Sequence, residues 1–199
     1  MLPNIRRAIL FVLLVASPVA AQSLQPVEHP WSRATTLGLT GGVGTASDGT
    51  GAVLGGSLGW ELSPQVGLDG TATWLDRQTG ASGFSAALAV HARLTTLPRL
   101  APYVEGGFGM YIAHFDPKET SNVPPFYADR LSGALAQTFV DPAFVAGAGF
   151  DLFRGRRVAI RPSFGALIAF TGDDAYTVGM FTVRVEYRFE RPPTRGSRK

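Results

Sequence analysis

The 199-residue chain contains no cysteine, so no disulfide holds it together and no thiolate is available as a nucleophile or metal ligand. Charge is scarce: 17% of the residues are charged, whereas a water-soluble surface carries roughly 25–35%. Long apolar runs are missing as well. The longest, Ala8–Ala16, falls far short of the ~20 residues that span a bilayer as a helix. No excess of one sign of charge exists either, because the formal +3 falls to +1 once Arg6 and Arg7 are set aside. Nucleic acid is therefore not an expected partner. Histidine occurs three times, as His29, His91 and His114.

What the chain does have is glycine (24 residues), proline (14) and a regular alternation of apolar and small or polar side chains. Ahead of that alternation, Arg6 and Arg7 precede the apolar run, and Val19-Ala20-Ala21 offers a small-residue cleavage site before Gln22. This predicts a secretory signal peptide over 1–21, with a retained anchor helix as the alternative. Residues 22–33, with Pro26 and Pro30, read as an extended periplasmic leader. Residues 34–190 form the expected barrel, and 191–199, which contain Pro192-Pro193, a basic disordered tail.

The alternation is cleanest over 177–189. One parity there gives Phe181, Val183, Val185, Tyr187 and Phe189; the other gives Met180, Thr182, Arg184, Glu186 and Arg188. Side chains of a strand point to opposite faces with period two, so this is a strand with one apolar and one charged face. Seven further segments behave alike, at about 35–44, 52–62, 66–76, 84–94, 102–115, 143–152 and 158–170. All but one of the intervening connections are short; the exception is 116–141, where Leu131, Leu135 and Phe139 recur at four and suggest a helical turn or two. Pro162 falls inside a strand and predicts a bulge or irregularity, since a closed barrel has no edge where a missing N–H goes unnoticed.

Eight strands of this length suit either a soluble barrel of the lipocalin type, apolar inside and polar outside, or a membrane barrel with the reverse arrangement. The polar parity decides between them. It is mostly Gly, Ser, Thr and Ala, which could not keep an exported barrel in solution but would fill a narrow lumen. Its charges are Glu61, Asp69, Glu105, Asp151 and Glu186 against Arg93, Arg161, Arg184 and Arg188, with His91 alongside. Buried charges persist when paired, so these residues predict a lumenal ion-pair network in an eight-stranded antiparallel up-and-down transmembrane β-barrel.

The strand rhythm, the segment Pro102-Tyr103-Val104-Glu105-Gly106-Gly107-Phe108-Gly109 and the closing aromatic strand resemble the small eight-stranded outer-membrane barrels of Gram-negative bacteria, the porin-like, OmpA-related group. The resemblance covers 35–189. It implies insertion into the outer membrane by the barrel-assembly machinery, with lipid as the surrounding partner and both termini in the periplasm. Family members usually end on a C-terminal aromatic; here Phe189 is followed by residues 190–199, so Val185, Tyr187 and Phe189 are the expected signal.

Some barrels of this size act on lipid A or phospholipid, and such a hydrolase needs a base within hydrogen-bond reach of a nucleophile. His91 shares its face with Ser85, but six residues of extended strand separate them by roughly 20 Å. A serine hydroxyl close to His91 or His114 with a carboxylate behind it would point to an enzyme. The residues predict none, no calcium-loop spacing and no cofactor, and they favour a structural or surface-interaction barrel. Its surface partner is unknown. The long connection, with Phe126 and Tyr127, is where partner contact is expected, unless it folds over the mouth as a plug. Removal of 123–137 is expected to spare the barrel.

Overall fold

The structure, a computed structural model, describes residues 34–78, 80–95, 97, 99–116, 118–119, 123–131, 135–153, 156–171 and 174–189. The expected signal peptide, leader and tail, and His29, lie outside these residues. Among them eight strands run in chain order: β1 (Thr35–Ala46), β2 (Gly49–Glu61), β3 (Val66–Gln78), β4 (Ala81–Arg93), β5 (Leu100–Phe115), β6 (Gln137–Leu152), β7 (Val158–Thr171) and β8 (Asp174–Arg188). A four-residue helix, α1 (Pro125–Ala128), stands between β5 and β6.

Each strand pairs antiparallel with its chain neighbour. β8 returns to β1 from Thr36↔Arg188 to Thr45↔Gly179, which closes the barrel and removes both edges. One end, here the terminal end, holds the start of β1 and the end of β8. The other, the loop end, holds the short connections at 47–48, 79–80 and 172–173 and the long one.

Period two sets what faces where. Leu39, Phe108 and Phe164 point outward and are 73%, 72% and 69% exposed, within a continuous apolar band. A soluble monomer does not expose such a band, so the lipocalin-type alternative is set aside.

The four strands that start at the loop end all begin earlier than the alternation suggests: β2 at Gly49, β4 at Ala81, β6 at Gln137 and β8 at Asp174. The reason is an inversion of phase. Towards the loop end the inward positions become apolar, with Val53, Leu75, Ala113, Leu167, Ala169 and Val178 fully buried. The outward positions there become polar, and Thr50 donates to Thr45 across β1 and β2 at 3.0 Å. The upper part of each strand is thus built as a soluble barrel and the lower part as a membrane barrel, and a single-phase pattern ends where they meet. The long connection shrinks accordingly to 116–136, and Gln137 is already paired with Phe115, so a deletion of 123–137 would cut into β6.

Pro162 lies opposite Val183 without any shift in the β7–β8 register. The β6–β7 register is likewise the same on both sides of it, at Gly149↔Ser163 and Leu152↔Ile160, but the two intervening pairs are absent from the ladder. The predicted irregularity is therefore a local gap in hydrogen bonding and not a bulge. The described bulge lies elsewhere, between Asp76 and Gln78 on β3.

Candidate functional site

The interior has two storeys. The terminal-end storey is a charge layer centred on Arg161, which is 1% exposed. Its Nε and Nη2 donate to the two Asp151 oxygens at 2.6 and 3.1 Å, and its Nη1 donates to Glu186 Oε1 at 2.7 Å and to Asp69 Oδ2 at 3.4 Å. Glu61 lies 3.6 Å from Nη2, and the Tyr103 ring stands 5.5 Å from the guanidinium carbon.

Arg93 grips Glu61 with both terminal nitrogens at 2.5 Å and reaches Asp151 with Nε at 2.5 Å. His91 Nδ1 is 2.8 Å from Asp69 Oδ2, and Arg184 Nη1 is 3.2 Å from the same oxygen. Arg188 Nη1 donates to the Arg156 carbonyl at 2.9 Å. Glu105 faces the same space but forms no ion pair among the described residues, and it is half-buried.

Strand register builds this layer. Glu61, Gly67, His91 and Glu105 are successive cross-strand partners on β2 to β5. Gly67 leaves the space that the imidazole fills: a Cβ there would lie 2.3 Å from His91 Cε1. Gly67→Ala is expected to destabilise the barrel by ~1–3 kcal/mol through overpacking. Gly70→Ala, whose Cβ would meet nothing closer than 3.7 Å, is expected to be near neutral. Urea midpoints of the two variants in bilayers check this, and equal midpoints would remove the steric argument.

The loop-end storey is apolar, and α1 seals it. Tyr127 is 0% exposed, with its ring 4.9 Å from Phe115 and 5.4 Å from both Phe139 and Tyr176. Burial pushes its phenol well above the usual tyrosine range, so it stays neutral. Phe126 is half-buried and stacks on Tyr176 at 6.1 Å. Arg130 fastens the segment down: Nη1 and Nη2 donate to Asp141 at 3.0 and 2.9 Å while the guanidinium lies 4.6 Å from the Phe139 centroid. Of the two residues expected to meet a partner, Tyr127 faces the lumen and Phe126 keeps only part of its ring at the surface.

Beneath this roof sits a polar trio that sequence reasoning missed. Arg77 donates to Asp48 and to the Tyr176 hydroxyl, which in turn donates to Asp48 at 2.8 Å. Asp48 lies in the two-residue connection between β1 and β2, and Arg77 and Tyr176 fall in the stretches beyond the single-phase pattern. Continuing the inward parity by one or two residues would have found both.

His91 is committed to the charge layer. His114 is outward on β5, and its Nδ1 is 3.0 Å from Thr138 Oγ1. The hydroxyl beside a histidine is thus a threonine's; among the described residues no serine hydroxyl bonds to either ring.

An apolar outer band around a closed, charge-filled interior defines a membrane-spanning β-barrel. The family model described as "Outer membrane protein beta-barrel domain" matches residues 8–189. The chain belongs to this family, and its place is the outer membrane. No curated protein matches it. Among solved structures it is similar to Neisserial surface protein A, at 11% identity and a TM-score of 0.59, covering 78% of this chain and 96% of that one. It is also similar to the N-terminal β-barrel domain of Pseudomonas aeruginosa OprF, at 14% identity and a TM-score of 0.53, covering 78% and 98%. At such identities the likeness extends to the fold alone.

Proposed function

We propose that the protein is a non-enzymatic outer-membrane barrel with a structural or surface-interaction role and a sealed interior. The observation that carries this reading is the double closure of the lumen, by the Arg161-centred ion pairs at one level and by α1 and its aromatic neighbours at the other. Buried ion pairs occupy one storey and packed aromatic rings the other, which supports the sealed reading, and fold alone does not assign an activity. On this reading the signal peptide is removed on export, both termini face the periplasm, and the long connection faces outward. Val185, Tyr187 and Phe189 then present the final strand to the assembly machinery, and lipid is the permanent partner.

Recordings from the full mature chain in planar bilayers test the proposal. The expected result is an electrically silent membrane at neutral pH. A stable open channel at modest voltage would overturn the sealed-lumen reading. Release of fatty acid from outer-membrane lipid by the pure protein would overturn the non-enzymatic one.

A further inference from the structure

The terminal end of the barrel carries charge that the closed interior does not use. Its connections, 62–65, 94–99 and 153–157, contain four arginines and no carboxylate. The loop-end connections contain five carboxylates against Lys118 and Arg130. Arg99, Arg156 and Arg157 are exposed and form no ion pair among the described residues. Apolar side chains accompany them: Leu97 is 59% exposed, Phe153 47% and Leu100 45%, at or just beyond the strand ends.

A buried residue fixes this rim from the lumen. Arg188 donates its backbone N–H to the Arg157 carbonyl and its Nη1 to the Arg156 carbonyl, both at 2.9 Å. The Phe153 N–H donates to the Arg99 carbonyl at 3.0 Å, which joins the β6–β7 connection to the β4–β5 connection. Phe153 has a φ of 58° and is the one non-glycine residue with a positive φ among the described residues. A bulky residue adopts that region only where its surroundings impose it. The Arg156 guanidinium lies 5.6 Å from the Phe153 ring centroid. Two connections thus form one fixed patch, with Arg99 between Leu97 and Leu100 in the chain and Arg156 over Phe153.

Cations alone would meet any polyanion. Exposed apolar side chains among the cations, at the margin of a lipid-facing band, fit a charged membrane surface. We propose that this patch binds net-anionic phospholipids of the leaflet at the terminal end, with headgroup phosphate on the arginines and Leu97, Leu100 and Phe153 against the first part of the acyl chains. A guanidinium fork holds two phosphate oxygens at once. Choline and ethanolamine headgroups carry a phosphate too, but their own ammonium competes with arginine for it. The connection 62–65 shares the rim and has no charge, so the preference is confined to one side of the barrel. The inference rests on the barrel spanning a bilayer and not on its lumen being sealed.

The full mature chain in nanodiscs of equal glycerol, choline and ethanolamine phospholipids with matched chains provides the test, with lipids retained after release counted by mass spectrometry. The anionic glycerol lipid is expected to be enriched over choline lipid by roughly three- to tenfold, the scale of a few exposed ion pairs. Raised ionic strength is expected to lower the ratio. The triple variant Arg99→Gln/Arg156→Gln/Arg157→Gln is expected to bring it to about one while heat-modifiable gel migration stays unchanged, because the turns are held through backbone carbonyls and Arg188. Each single substitution is expected to lower it part of the way, and Glu119→Gln at the loop end to leave it alone. The proposal fails if no enrichment occurs or if enrichment survives the triple substitution, which would assign it to another part of the chain. It also fails if the triple variant keeps the parent's lipid ratios and instead loses co-sedimentation with cell-wall fragments, which would make the partner a wall polymer.

Discussion

Replacing Arg161 with methionine is expected to cost ~3–5 kcal/mol of unfolding free energy, the largest effect of any single substitution in the barrel wall. The loss comes from what stays behind. Asp151 keeps its ion pair with Arg93, and Glu186 a looser one with Arg184 at 3.5 Å, while the other Glu186 oxygen has no hydrogen-bond partner among the described residues. A buried carboxylate stripped of its counter-ion has no water to return to. Arg161→Lys is expected to recover only part of the loss, because a single ammonium cannot reproduce the fork that holds both Asp151 oxygens. Adding Glu186→Gln to the methionine variant should restore some stability by removing the orphaned charge. Urea titration in liposomes measures the three refolded variants against the parent. A methionine variant within ~0.5 kcal/mol of the parent would show that water enters the layer and screens it.

Tyr127→Ala is expected to undock α1 without unfolding the barrel. A fully buried aromatic truncated to alanine typically loses ~3–5 kcal/mol, which shifts a docked–undocked equilibrium by at least about a hundredfold. Protease cleavage in the connection should accelerate by a similar factor while heat-modifiable migration of the uncut protein is retained. Arg130→Ala should act in the same direction but less strongly, since part of the Arg130 side chain is exposed to water. If Tyr127→Ala abolishes folding, α1 is part of the barrel's core and does not merely close it.

The direction of each lumenal side chain was legible because strand periodicity is strict: Arg93, Arg161 and Glu186 lie on the inward parity, and position along a strand decides that alone. Their choice of partners was not legible. Arg161 meets Asp69 across the lumen, 92 residues away, through the tilt and stagger of a closed barrel, which no local pattern encodes. Glu105 shares the parity and, among the described residues, lacks an ion pair for the same reason. The Asp48–Arg77–Tyr176 trio was hidden by the inversion of phase, which disguises real strand as loop. The fate of Tyr127 was hidden because a loop aromatic reads alike whether it turns outward or in.

The closure of the barrel also orders its assembly. Seven of the eight seams join neighbours in the chain, and each can zip as a hairpin. The β1–β8 seam joins Thr36 to Arg188 and must wait for all the others. Its entropic handicap is small at equilibrium, because each doubling of loop length costs only about 0.6 kcal/mol, but in time it comes last. The contacts of Arg161 on β7 with Asp69 on β3 depend on that seam. Until it shuts, the charges of the layer remain in water and bear no desolvation cost. The interior charges therefore do not obstruct the earlier steps, and they lock together only in a barrel whose strands have all found their register.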